Sequence, residues 1–389
     1  PWDVLAQLYG QYSEAGASEA FGFQGGLAGY FGYEMGDYLE VLPKAQDDGF
    51  GFPDCMLGLY DLVIAFDRVN KTMQLISQGW PEQSPDFRYD RAKARMTWLL
   101  KRLNEKPRAL RKNVAVDVKP LLSKTDYCKA IQSAIDAIYA GDIFEVNLSQ
   151  RFGADLPNDF DFLSCYQTLR RINPAPFSGY FHANGQRILS ASPERFLSLT
   201  NNKVSAKPIK GTKPRGKTPE EDKQLAEALL NSEKDRAENV MIVDLLRNDL
   251  AKVCDYTSIQ VSKLCALESF ETVHHLVSTI EGKLQEGKSP IDLLKATFPG
   301  GSITGAPKIR SMEIITALEG YKRGPYCGCL GYVGFNGNMD LSILIRSIFA
   351  NESRCYVQAG GAIVSDSNPL AEYQETYDKA AALLKVLST

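Results

Sequence analysis

Asn336-Gly337-Asn338 separates two apolar runs, and it belongs to a series of strand-like stretches joined by short polar turns. Asn-Gly between alternating apolar residues is a hairpin signal, because both central residues of the favoured turn take φ > 0. Strand-like stretches lie near 143–153, 179–199, 203–208, 327–335, 340–350 and 354–364, and helical ones near 160–172, 219–232, 234–250, 289–297, 307–319 and 369–387. Strands joined by tight turns pair antiparallel, whereas a parallel pair needs a long crossover. The expected class is therefore α+β rather than a doubly wound parallel sheet.

Before residue 120 the signals are weaker. Residues 21–36 mix Gly with aromatics, which suits tightly packed strands and turns. Leu57 to Asp67 and Thr72 to Gln78 read as strands joined around Asn70. Residues 93–124 carry ten Lys or Arg against Glu105 and Asp117, with Trp98 as the lone aromatic. A solvated helix and a linker fit this better than a nucleic-acid patch. Thr125-Asp126 opens an amphipathic helix to about Ala140. These readings divide the chain into an N-terminal segment, 1–120, and a main body, 121–389.

A net charge of −3 gives no general reason to bind nucleic acid or an acidic membrane. No apolar run approaches the roughly 18 residues of a membrane span, and no secretory signal pattern is present. The chain begins at Pro1 rather than Met, so an N-terminal part is expected to be missing. The eight Cys form no CxxC pair. Buried reduced thiols in a cytoplasmic protein are expected.

Lys210, in Pro208-Ile209-Lys210-Gly211-Thr212, is the most informative candidate for chemistry. An ordinary Lys is neutral in about one molecule in 2,500 at pH 7, so a neutral amine requires about 4.6 kcal/mol from desolvation or nearby positive charge. The plain alternative is a surface amine after a turn. Two helices carry paired carboxylates. Asp235 and Glu238 lie on one face of a first turn followed by Val240-Met241-Ile242-Val243, whose all-round apolar character predicts a buried helix. Glu372, Glu375 and Lys379 form one stripe on the last helix. Each pair alone reads as a solvated face; convergence of both would make a hard-oxygen site suited to Mg²⁺.

The turn Phe298-Pro-Gly-Gly-Ser302-Ile-Thr304-Gly-Ala-Pro307, running into a helix, offers amides and two hydroxyls to a carboxylate. Arg346 inside an apolar strand needs a partner, either a ligand carboxylate or a structural ion pair. Gly360 and Gly361 end another strand and could present bare amides to an anion. His274-His275 is a doublet of which one member faces inward. Glu194 is open to an ion pair with Arg195 or to a role as general acid.

Together these segments resemble the chorismate-utilising enzymes. The resemblance is carried by Ser192-Pro-Glu-Arg-Phe196, Pro208-Ile-Lys-Gly-Thr212, Asp235 through Asp249, His275-Leu-Val-Ser278, Gly300 through Lys308 and Tyr373-Gln-Glu-Thr376, in family order over about 270 residues. It implies a large, mostly antiparallel β-sandwich core with helices packed outside. It also implies Mg²⁺ on Glu238 and Glu375, assisted by Asp235 and Glu372. Substrate carboxylates would meet Gly211, His275, Ser302 and Thr304, and Tyr326, Arg346, Gly360 and Gly361, with Lys379 adding charge. Lys where anthranilate synthases typically have Ala resembles the branch that makes 4-amino-4-deoxychorismate from chorismate and ammonia, on the route to 4-aminobenzoate and folate. In that branch Lys210 attacks C2 while Glu194 protonates the departing C4 hydroxyl, though a Lys can act as base from the same position. The family usually has Gly where this chain has Ala362, which puts binding by that amide in doubt.

The only His are His182, His274 and His275, and no Cys sits in a nucleophile turn, so no glutaminase site is visible. The resemblance implies a separate glutamine amidotransferase subunit as ammonia source. Some relatives bind tryptophan beside the segment matching Pro174-Ala-Pro176-Phe177, which makes Pro176 and Phe177 candidate lining residues. The alternatives are anthranilate or isochorismate formation, and a non-catalytic tryptophan-binding regulatory subunit.

Overall fold

Turn residues that tolerate a left-handed backbone set the strand order. Asn184 and Gly185 have φ of 48° and 77°, Asn201 and Asn202 have 50° and 64°, and Gly337 has 84°. Each of these turns joins two antiparallel neighbours. The structure is a computed structural model, which describes residues 1–13, 22–271 and 273–389. Phe21 of the Gly-aromatic segment therefore lies outside the described residues.

The helices are α1 (Trp2–Tyr12), α2 (Pro85–Leu103), α3 (Lys124–Tyr139), α4 (Phe162–Ile172), α5 (Pro219–Leu230), α6 (Glu233–Ala251), α7 (Pro290–Thr297), α8 (Lys308–Glu319) and α9 (Pro369–Leu387). The strands up to the first long hairpin are β1 (Gly26–Phe31), β2 (Cys55–Tyr60), β3 (Leu62–Asp67), β4 (Thr72–Ser77), β5 (Lys119–Pro120), β6 (Glu145–Asp155), β7 (Phe177–Ala183) and β8 (Gln186–Ser192). They continue as β9 (Arg195–Thr200), β10 (Lys203–Ala206), β11 (Ile209–Pro214), β12 (Gln260–Ser269), β13 (Val273–Lys283), β14 (Gly305–Ala306), β15 (Cys329–Gly334), β16 (Met339–Ile343), β17 (Ser347–Ala350) and β18 (Arg354–Ile363).

A nine-stranded sheet runs β11-β13-β10-β9-β16-β15-β1-β2, with β12 on β13. A seven-stranded sheet runs β14-β6-β18-β17-β8-β7, with β5 on β6. All pairings between these strands are antiparallel, as the α+β reading requires. Leu341, Ile343, Leu197, Phe349 and Tyr356, all nearly inaccessible, belong to one apolar cluster fed by both sheets. The other face of the second sheet is covered by helices: α8 packs on β6, α9 on β18, and α3 and α4 on α9. Strands β1 and β2, from before residue 120, lie in the larger sheet, and Trp2 and Leu5 of α1 reach the same core.

Several expected elements need correction. The run 57–67 breaks at Asp61, which is 4% exposed and receives Arg95 at 2.9 Å, so β3 leaves the large sheet and pairs with β4 alone. The helix of the basic stretch starts earlier, at Pro85, and Ser123 rather than Thr125 caps α3 through the Asp126 amide. Helix α6 is not buried all round. Ile242, Val243 and Leu246 face inward while Val240 is exposed.

Two of the long strand readings each hide a crossing between sheets. In 186–200 the chain passes from the smaller sheet to the larger one around Pro193-Glu194. In 339–350 it passes back around Leu344 to Arg346, and Arg346 takes φ 52°. Ile343 N donates to Glu194 O at 3.1 Å and Ala191 N to Arg346 O at 3.0 Å, so the two crossings lie side by side. Side chains at such points leave the pleat, and Glu194 and Arg346 are the two that the fold places there.

Candidate active site

Lys210 is on β11 and is buried, which removes the surface-amine reading. Its Nζ lies 2.5 Å from Glu145 Oε1 on β6, across the gap between the two sheets. Glu145 is fully buried, and its Oε2 has no hydrogen-bond partner among the described residues. Desolvation favours the neutral amine, but Glu145, Glu238 and Glu194 together outweigh it and raise the Lys210 pKa. These neighbours alone favour the ammonium form of Lys210 over the neutral amine. Lys207 pairs with Glu268 at 3.6 Å instead of helping to discharge it.

Glu194 behaves as an acid should. Burial pushes its carboxyl up to about 7, against the opposing hydrogen bond from Ser302 and the charge of Lys210. Ser302 Oγ donates to Glu194 Oε1 at 2.7 Å. Arg195 is bidentate to Asp340, at 2.9 Å for both contacts, so the Glu194–Arg195 ion pair is absent.

The Gly-rich turn is tied up more than its sequence suggests. Thr304 is inaccessible, and its hydroxyl donates to Gly300 O at 3.0 Å, holding the turn rather than facing a ligand. Gly211 has φ 83°, and a Cβ there would stand 2.8 Å from Asp235 Cγ. That close approach brings the start of α6 onto β11 and needs glycine.

Glu372 and Glu375 reach over β18. A Cβ on Gly361 would lie 3.2 Å from Glu375 Oε1, 3.3 Å from Glu372 Oε2 and 3.4 Å from Lys379 Nζ. Lys379 Nζ pairs with Glu375 at 2.5 Å and donates to Gly360 O at 2.9 Å. Gly360 and Gly361 are not a turn; β18 continues through them to Ile363, paired with Ser149 and Leu148. Ala362 is not among the residues with positive φ, so its methyl is accommodated without strain.

Glu238 is pushed up to about 7 by burial, opposed by Lys210 and reinforced by Glu145 and Asp235. Burial also raises Glu372, opposed by Ser367 and reinforced by Glu375. Glu375 goes the other way, because Lys379 overcomes its desolvation. The charge of Lys234, in the first turn of α6, lowers Glu238, Glu372 and Glu375 alike. Among the described residues no three His, Cys, Asp or Glu are grouped to hold a metal. The carboxylate oxygens of Asp235 and Glu238 on α6 and of Glu372 and Glu375 on α9 are donors of the kind Mg²⁺ takes.

Arg346 has no carboxylate partner among the described residues; its Nη1 donates to Lys379 O at 2.7 Å. Burial lowers its pKa, while Tyr326 and Glu375 oppose that. Of the two readings left open for Arg346, the structural ion pair is therefore not formed. Tyr326 is buried beside it. Both members of the His doublet are buried. His274 contacts Asp222 at 3.0 Å and Ser269, whereas His275 Nδ1 is 2.9 Å from Thr212 Oγ1. Burial, then Arg346, pushes His275 down to about 4, so it is neutral.

Sequence reasoning missed Glu145 and Lys234. Glu145 begins a strand in which Val146 and Leu148 alternate with polar residues, and an acid at its start was a detectable signal; Lys234 had none. Pro176 and Phe177 line a separate cavity of about 400 Å³ with Phe23, Tyr60, Tyr332 and Asp340. No helix among the described residues is long and apolar enough to cross a membrane.

Comparison with known proteins agrees with this assembly. Residues 3–385 match the model of the chorismate binding enzyme family. The chain is 43% identical to aminodeoxychorismate synthase component 1 of Salmonella typhimurium, covering 94% of this chain and 77% of that one. It is 40% identical to anthranilate synthase component 1 of Thermus thermophilus, over 94% and 78% of the two chains. The crystal structure of anthranilate synthase component I from Streptococcus pneumoniae superposes with a TM-score of 0.89 at 35% identity, covering 98% of this chain and 85% of that one. The chain thus belongs to the chorismate binding enzyme family.

Proposed function

We propose that this protein converts chorismate and ammonia to 4-amino-4-deoxychorismate, feeding 4-aminobenzoate and folate synthesis. The observation that carries the proposal is Lys210, a buried amine placed between Glu145 and the acid Glu194. The relatives include both aminodeoxychorismate and anthranilate synthases, and Lys210 favours the first, since anthranilate synthases typically have Ala there.

Chorismate is a dianion. Arg346 and Tyr326 receive its enolpyruvyl carboxylate, and neutral His275 lies close to Arg346 on the same side. The ring carboxylate lies toward Gly211 and the carboxylate helices. Glu238 and Glu375, aided by Asp235 and Glu372, would hold Mg²⁺, which supplies positive charge to that carboxylate. Lys210 first passes a proton to Glu145 Oε1, 2.5 Å away, although the charge of that carboxylate favours the ammonium. The Nζ lone pair then forms a bond to C2, the double bonds shift, and the C4–O bond breaks. Glu194 gives its proton to that oxygen, which leaves as water. Ammonia adds at C4, the double bonds return, the C2–Nζ bond breaks to free Lys210, and the new C4 nitrogen gives a proton back to Glu194.

Ammonia would come from a glutamine amidotransferase subunit, in keeping with the word component in the relatives' names. The cavity at Pro176 and Phe177 is a candidate tryptophan site, with aromatic walls and Asp340 at its edge. A cytoplasmic location follows from this metabolism.

The test is incubation with chorismate, Mg²⁺ and ammonium salt, with the product identified by mass. Anthranilate or isochorismate as main product would sink the assignment. A covalent adduct trapped on Lys210 separates nucleophile from base. Glu238→Gln and Glu375→Gln should each raise the Mg²⁺ requirement, and normal Mg²⁺ dependence would remove these residues from the metal site.

A further inference from the structure

Arg323 is 2% exposed and belongs to none of the motifs above, yet it is the largest fully buried side chain among the described residues. Its guanidinium makes four hydrogen bonds in one plane. Nε donates to Glu319 Oε2 at 2.8 Å and Nη2 to Glu319 Oε1 at 2.7 Å. Nη1 donates to Ile303 O at 3.0 Å, and Nη2 also to Asn147 O at 2.7 Å. Its own backbone is fixed too, because Arg323 N and Gly324 N donate to the two oxygens of buried Glu34 at 2.6 and 2.9 Å. The guanidinium carbon stands 5.7 Å from the Tyr326 ring, and Tyr326 N donates to Arg323 O at 3.3 Å.

A buried ion pair is a poor way to gain stability, since apolar residues of the same volume often do better. The destinations of the remaining donors are more informative. Ile303 lies between Ser302, which holds the acid Glu194, and Thr304, which braces the turn. Asn147 is two residues along β6 from Glu145, the partner of Lys210. One rigid fork therefore spans the two segments that hold the acid and the amine, and it carries Tyr326 on its flank.

We propose that Arg323, oriented by Glu319, is the positioning residue that sets the spacing between the Gly-rich turn and β6 and aligns Tyr326 for the substrate carboxylate. Ser149 orients Glu319 in turn, its hydroxyl and amide donating to Glu319 Oε1 at 2.7 and 2.9 Å. A Lys in place of Arg323 keeps the charge but cannot bridge acceptors in fixed planar directions. The inference rests on the chorismate reading of this site.

The experiment measures direct chorismate binding by calorimetry and, in parallel, kcat and KM for chorismate consumption, on Arg323→Lys and Ser149→Ala. Arg323→Lys is expected to weaken chorismate binding at least tenfold and to lower kcat, while its far-UV circular dichroism stays that of the parent. A merely structural role would lower Tm and leave Kd of the folded fraction unchanged, and that result overturns the proposal. If Arg323→Lys does not fold, Ser149→Ala decides: a roughly threefold weaker Kd supports the inference, and an unchanged Kd overturns it. Failure of the parent protein to bind chorismate would instead overturn the functional reading, and this inference with it.

Discussion

Ser302→Ala tests the acid directly. In the proposed reaction Glu194 must be protonated to expel the C4 hydroxyl, so activity is predicted to fall as pH rises through its pKa of about 7. At the ordinary value of 4.5 only about one molecule in 300 would carry the proton at pH 7; at about 7 roughly half do. The Ser302 hydroxyl, 2.7 Å from Oε1, donates to the carboxylate and so favours the charged form. A hydrogen bond to a charged group is worth roughly 1.5–3 kcal/mol, and one pKa unit is about 1.4 kcal/mol. Removing the donor should therefore raise the Glu194 pKa by roughly one to two units and move the alkaline limb of activity upward by the same amount. The assay is the pH profile of kcat/KM for chorismate at saturating Mg²⁺, with free ammonia held constant so that ammonium titration does not enter. A limb that stays in place, or moves to lower pH, would refute Glu194 as the acid or Ser302 as its donor.

Glu194→Gln should cost about 10²–10⁴ in kcat while increasing stability at alkaline pH. A carboxyl whose pKa is raised on folding binds more protons folded than unfolded between about 4.5 and 7, so stability falls as pH rises through that window. Urea titrations at pH 5 and pH 8 should show the variant gaining on the parent only at pH 8, by up to about 3 kcal/mol. Glu145→Gln removes the strongest group holding the proton on Lys210, so the acid limb of kcat/KM should move to lower pH; an upward shift would contradict the ion pair. Gly211→Ala places a methyl 2.8 Å from Asp235 Cγ at φ 83° and should lower unfolding free energy by about 2–3 kcal/mol and raise KM, read by urea titration and steady-state kinetics. Leu341→Ala, at the inaccessible centre of the large sheet, should cost about 2–5 kcal/mol, against less than about 0.5 kcal/mol for exposed Phe66→Ala.

Much of the frame was legible because its signals are local. Asn-Gly and Asn-Asn turns fix hairpins within a few residues, and Pro369 after Asn368 starts α9 where expected, with the Asn368 side chain accepting from Leu370 and Ala371 amides. The paired acids of α6 and α9 could be found because helical spacing puts them on one face. What could not be read was set by distant partners. The run 340–350 is largely apolar, and nothing local says that it changes sheets at Arg346; the sandwich requires it, since β9 claims β16 and β8 claims β17. Glu145 and Lys210 are 65 residues apart, so no spacing rule links them. Val240 looked like core by composition but faces away from the sheet, because tertiary packing chose one side of an apolar helix.

The same crossings explain why the site lies where it does. In the middle of either sheet, a carboxylate like Glu194 would be pressed into the apolar cluster and an Arg like Arg346 would need a permanent acid beside it. At the two adjacent points where the chain leaves one sheet for the other, the backbone turns both side chains out of the pleat without opening the core. Glu194 is then buried enough to hold its proton near neutral pH, although the Ser302 hydroxyl and the Ile209 backbone both favour its charged form. Arg346 keeps its charge with only a carbonyl contact, which leaves the rest of its fork for a carboxylate that arrives with the substrate. Lys210 has the opposite arrangement, a strong carboxylate partner already in place. In the proposed reaction the free protein is therefore set to donate a proton at C4 before it is set to attack at C2, and substrate binding must act chiefly on the Lys210–Glu145 pair.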